Sequence, residues 1–190
     1  MRLTTFTLAF ATLFSAGLVY AATPTQQQIQ AAVDAGVAKT QSSVPMAVKV
    51  TSVSGCLPSP EVQAETVCLV GMSAGMRDGY TVLPLRQEGG NWVGVERKNA
   101  QFPGPSTAEA TALLRAWAKE EMARDPEAAK DKQLQEAATT MQVKSLANCD
   151  VKRKTGYLAC DTVLSVPDRD DIKTEFMFML ASTGWRYVPR

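Results

Sequence analysis

The chain of 190 residues contains no histidine. That removes the commonest general base, and with it Ser-His-Asp and Cys-His arrangements and imidazole metal sites. No Ser-x-x-Lys opens a helix, so a serine–lysine pair is not indicated. Glu120 and Glu121 are adjacent, point in different directions on a helix, and make a poor acid–base pair. Asp168-Arg169-Asp170-Asp171 lacks the alternating oxygen ligands and the glycine of a calcium loop. The cysteine spacings are not those of a zinc site. The sequence reads as non-enzymatic, with no catalytic residue, no metal and no cofactor expected.

Long apolar runs are also lacking, except at the N-terminus. Arg2 precedes an apolar stretch from Leu8 to Tyr20, and Val19-Tyr20-Ala21 places small residues at −3 and −1. This pattern predicts a signal peptide over residues 1–21, cleaved before Ala22, with no cysteine at the junction for a lipid anchor. No later segment is long and apolar enough to span a bilayer. Charge of either sign is not in excess: without Arg2 there are 19 basic residues (20 − 1) against 19 acidic ones. A near-neutral chain does not fit nucleic-acid binding or charge-driven attachment to anionic lipid. The expected compartment is the periplasm or the exterior.

What is present is a pattern stated twice. Cys56 and Cys149 lie 93 positions apart (149 − 56), and Val50/Val143, Ser52/Ser145, Val53/Leu146, Trp92/Trp185, Val95/Val188 and Arg97/Arg190 keep that spacing. Cys68 and Cys160 follow in each stretch. A spacing shared by strands, cysteines and a tryptophan predicts an internal repeat. Four cysteines allow three pairings. A duplicated module that closes its own bridge selects Cys56–Cys68 and Cys149–Cys160, each worth about 2–3 kcal/mol in the chain-entropy account.

The expected fold class is α+β, with two tandem repeats. Each repeat is a helix packed on a four-stranded antiparallel meander with one intramodule disulfide. The predicted division is 22–98 for the first repeat, 99–105 for a linker and 106–190 for the second. In the first, Thr25 caps a helix whose apolar stripe is Ile29, Ala32, Val33, Gly36 and Val37, and Val44-Pro45 ends it. Strands are predicted over 47–54, 66–74, 80–87 and 92–98, with Glu88-Gly89-Gly90-Asn91 as a hairpin signal. Ser106-x-x-Glu109 is a capping box that opens a helix bearing Leu114, Trp117, Ala118 and Met122. Asp125-Pro126-Glu127 predicts a second helix start, with Leu134, Ala137, Ala138 and Met141 on one face. The repeat pattern shows in the strands and is absent from these helices. Strands over 141–148, 157–166, 174–181 and 185–189 complete the second meander.

Tandem helix-plus-four-strand modules with a disulfide each resemble the β-lactamase inhibitor proteins and other cystatin-like secreted modules. The resemblance rests on Cys56/Cys68, Cys149/Cys160 and Trp92/Trp185, over residues 25–190. The Gly-Met-Thr motif that opens a helix in that inhibitor family is absent here, so none of its interface residues carries over. The resemblance implies a scaffold that presents one surface built from two sheets.

Two features are candidates for partner binding. Arg77-Asp78 and Arg169-Asp170 correspond at the tips of the second hairpin in each repeat, as polar turns or as a paired recognition tip. Met177 and Met179 alternate with the core-facing Phe176 and Phe178, so both faces of that strand are apolar, whereas the first repeat has Pro84 and Arg86 there. The second face needs a cover: the other module, the middle helices with Trp117 and Leu134, or a partner. Cover from within the chain is the expectation. Met72-xxx-Met76 and Met177-x-Met179 raise copper(I), but the methionines are scattered and read as core filling. Trp92 and Trp185 are expected to pack on the sheets. The function expected from these residues is an exported protein-binding protein of inhibitor or immunity type, acting by occlusion on an unidentified envelope partner. A small apolar-ligand carrier and a structural or envelope-assembly factor are the alternatives.

Overall fold

The computed structural model describes residues 23–39 and 47–189. The expected signal peptide, the helix stop at Val44-Pro45 and Arg190 lie outside the described residues. The described chain is α+β, with two four-stranded antiparallel sheets, helices against each, and two disulfides.

Helix α1 (Gln26–Lys39) starts where a local hydrogen-bond exchange allows it. The Gln28 N–H donates to Thr25 Oγ1 at 3.3 Å, and the Thr25 N–H donates to Gln28 Oε1 at 2.9 Å. Two donors that a helix start leaves orphaned are thereby satisfied. Ile29, Ala32 and Val33 are buried against the first sheet. That sheet is β1 (Val48–Pro58), β2 (Thr66–Ala74), β3 (Arg77–Glu88) and β4 (Asn91–Gly94), in chain order.

Strand β1 runs four residues past the expected end at Ser54. Its ladder slips at two bulges, and Cys56 then stands directly opposite Cys68, with Cα atoms 4.0 Å apart. The bridge is a rung of the ladder, which holds the strands paired up to Pro58, where the missing N–H ends the strand at little cost. Strand β4 is shorter than expected. Past Gly94 the chain turns away, and Arg97 Nη2 reaches Glu65 Oε2 at 2.7 Å on the β1–β2 loop.

Helix α2 (Thr107–Arg124) begins as expected, with Ser106 Oγ accepting from the Glu109 N–H at 3.1 Å. The next helix does not start at Asp125. That carboxylate accepts from the Glu127 N–H at 2.9 Å and makes a turn, and a 3-10 turn follows at Ala128–Lys130. Asp131 is the cap of α3 (Lys132–Thr139), accepting from Gln133 and Leu134 N–H at 2.7 and 3.2 Å. Of two possible aspartate caps, the one directly before Leu134, Ala137 and Ala138 prevails, because only that stripe has a core to enter. The second sheet is β5 (Gln142–Val151), β6 (Leu158–Ser165), β7 (Ile172–Ala181) and β8 (Gly184–Val188). Cys149 and Cys160 are bonded across a bulge in which Asn148 takes a left-handed conformation, with φ of 47°.

The two sheets do not pack in the same way. One face of the first sheet carries Val50, Cys68, Val70, Leu85 and Trp92 and is covered, among the described residues, by α1. Its other face gives Val67 and Leu69 to a larger core with α2, α3 and the Leu158, Cys160, Phe176 and Phe178 face of the second sheet. The expected linker is part of that core: Phe102 is 2% exposed and its ring meets Trp185 edge-on at 6.2 Å. The β5–β6 turn seats on β3, where the Tyr80 N–H donates to Arg153 O at 2.7 Å. Gly156 makes that approach possible, with φ of +72° and the Tyr80 ring 2.6 Å from where a Cβ would lie.

Candidate functional site

Helix α1 is tied to the first sheet by its N-terminal half. Gln30 lays its side-chain amide along the free edge of β1, donating from Nε2 to Val48 O at 2.9 Å and accepting on Oε1 from the Val50 N–H at 2.6 Å. Gln26 Nε2 adds a third bond, to Val50 O at 2.9 Å. The amide thus continues the ladder for one rung and closes an edge that would otherwise be open to pairing.

Beyond Val33 this contact thins to Val37, which packs partly buried against the same core. A groove of about 480 Å³ opens between the C-terminal half of α1 and the sheet, within the size range of small-ligand sites. Val33 and Val37 line it from the helix, and Val48, Met72 and Leu83 from β1, β2 and β3, while Val93 and Gly94 border it on β4. Lys39 and Glu96 stand at its rim. Gly36 on the helix and Gly94 on β4 both line the groove. Neither has a positive φ. Among the described residues a Cβ at Gly36 would meet nothing within 4 Å, and one at Gly94 only Ala32 O at 3.8 Å. Neither backbone geometry nor packing among the described residues therefore requires glycine, although Gly36 costs the helix interior about 0.5–1 kcal/mol relative to alanine. Together they hold space open.

The residues singled out in the sequence fall elsewhere. Arg77 and Asp78 are exposed at the start of β3 and border a cleft of about 670 Å³ with Met72, Tyr80 and Arg153. They make no side-chain ion pair among the described residues. In the corresponding turn Arg169 is paired with Glu136 of α3, so the two tips differ in chemistry. Asp170 is exposed beside it. Met72 packs partly buried under α1, but Met76 is fully exposed and fills no core.

Met177 and Met179 are half-buried and belong to neither core. The expected cover from within the chain is not among the described residues: Trp117 and Leu134 pack on the opposite, Phe176 and Phe178 face. By ladder register Met177 shares its face with Ala159 and Val188, and Met179 with Arg186. Trp92 is buried under α1, and Trp185 lies between Phe102 and Phe178, as expected of tryptophans that pack on their sheets.

Sequence reasoning missed a second regularity, which the hydrogen bonds expose. In the second half of the chain Thr111 Oγ1 accepts from the Val143 N–H at 2.9 Å, and Val143 stands 93 positions after Val50. Thr111, however, stands 81 positions after Gln30 (111 − 30). The same spacing of 81 relates buried Pro24 to buried Pro105, the caps Thr25 and Ser106, their partners Gln28 and Glu109, and buried Ile29 and Ala110. Helix and strands are out of step by 12 positions (93 − 81), about the length that the 3-10 turn and α3 occupy. The signal Pro-Thr/Ser-x-x-Gln/Glu was in the sequence, but at a different spacing.

Among the described residues no helix is long and apolar enough to cross a membrane, and no cluster of three or more acidic or cysteine ligands comes together. In comparisons with known proteins no family model matches the chain, and neither a curated protein nor a solved structure matches it.

Proposed function

We propose that this is an exported, non-catalytic binding protein built by tandem duplication, and that its first module carries a small apolar ligand in the groove beneath α1. The observation that carries the reading is the groove itself: apolar walls on five elements, and two glycines that leave room no backbone constraint demands. Export is supported by the two disulfides, which persist in oxidising compartments. Duplication is supported by the paired spacings of 81 and 93 and by two sheets of the same strand order.

A second reading, occlusion of a protein partner in the manner of an inhibitor or immunity protein, is favoured by one observation. The Met177, Met179, Ala159 and Val188 face of the second sheet has no helix over it among the described residues. The likeness to β-lactamase inhibitor proteins belongs to this reading and rests on architecture. Native mass spectrometry of the mature protein, purified from its own host without denaturation, separates the two. The carrier reading expects an added small-molecule mass that denaturation releases. A single co-purifying protein in fixed ratio, with no such mass, would support occlusion instead.

A further inference from the structure

The groove has a counterpart in the second half of the chain, and there it is filled. Gly36 corresponds to Trp117 at the helix spacing of 81, and Gly94 to Tyr187 at the strand spacing of 93. Those two side chains meet edge-on, with ring centroids 5.2 Å apart. Tyr187 in turn meets Phe176 edge-on at 4.9 Å, and Phe176 corresponds to Leu83, which lines the groove. The second module thus closes the gap between helix and sheet with edge-to-face rings of its own. The first presents the same gap with the two half-buried rings absent and the third, buried one replaced by leucine.

We infer that the groove takes a flat, uncharged aromatic ligand of two or three rings, which occupies the place that Trp117 and Tyr187 occupy in the other module. This rests on the carrier reading and narrows it from apolar ligands in general. The shape follows from the counterpart, since the slot between α1 and the sheet is the one that the second module fills with an indole and a phenol. The walls suit a ring: branched aliphatic side chains pack flat on its faces, and Met72 offers a thioether, which contacts aromatic edges favourably. Absence of charge follows from the rim, where Lys39 and Glu96 supply one charge of each sign and neither points to an ionic partner over the other.

The test titrates the mature protein with N-phenyl-1-naphthylamine, an uncharged ring probe that fluoresces in apolar surroundings, and with decan-1-ol as a chain of similar hydrophobicity. Two variants refill the slot from opposite walls, Gly36→Trp and Gly94→Tyr, each restoring the residue that the second module carries. The expected result is one saturable probe site, with affinity lowered about tenfold or more in each variant by steric exclusion. Melting should be unchanged in at least one of them. Displacement of the probe by decan-1-ol at lower concentration than the probe's own dissociation constant would overturn the aromatic assignment and leave the carrier reading standing. Binding of neither compound, or probe binding unchanged in both variants, would overturn the carrier reading as well.

Discussion

Gln30 is the residue on which the position of α1 turns. Its amide serves both an acceptor and a donor of the β1 edge, so removing it leaves Val48 O and Val50 N–H without those partners. Gln30→Ala should lower stability by about 1–3 kcal/mol, the usual cost of stranding part-buried polar groups. Gln30→Met, which keeps the length and loses the amide, should do nearly the same. Urea denaturation reads both, and a loss of only a few tenths in either would mean that apolar contact alone seats the helix. Thr25 and Ser106 were legible as caps because capping is settled within three residues. Gln30 was not, since its partners lie 18 and 20 positions on and nothing local marks a glutamine for a distant strand edge. Gly36 was read as one more small residue in an apolar stripe. Its meaning appears only when the absence of neighbours around it is seen.

Strands were the more legible elements, because alternation and turn residues fix them locally. The second strand has the expected ends, Thr66 and Ala74. Where strand limits differ, a longer-range bond intervenes: the Cys56–Cys68 rung extends β1, and the reach of Arg97 to Glu65 draws the chain off β4. On the duplication proposed above, the helices hid their repeat because α3 lies between α2 and β5, which changes the spacing by 12 and makes a single-offset search fail. Strand β7 is where expectation and structure part most clearly. Its second face carries Met177 and Met179 outside both cores. Met177→Glu with Met179→Glu should therefore lower stability by only about 1–2 kcal/mol together, since both side chains are half-buried and lie outside the cores. A loss of several kcal/mol would show that the face is covered after all.

At the scale of the whole molecule the two sheets share one core. Val67 and Leu69 of the first sheet sit with Phe176 and Phe178 of the second, Gly55 lets Leu180 approach to 2.5 Å of a Cβ position, and Phe102 is enclosed between them. Calorimetry should find a single unfolding transition. Phe102→Ala should lower stability by about 3–5 kcal/mol, as for other large core truncations, while leaving one transition. Two separated transitions would mean that the modules fold apart. The sequence was legible here as far as the two meanders and their bridges. The role of residues 99–105 was not, because a short Pro-Gly segment reads as a linker unless the pocket for Phe102 is visible. The asymmetry between the modules has the same origin: one gap filled by its own rings, one left open. The most direct test is to titrate isotope-labelled mature protein with N-phenyl-1-naphthylamine and follow methyl resonances by nuclear magnetic resonance. Saturable shifts concentrated on Val33, Val37, Val48, Met72 and Leu83 are expected. Shifts centred on Met177, Met179 and Val188, with the groove methyls unmoved, would contradict the account.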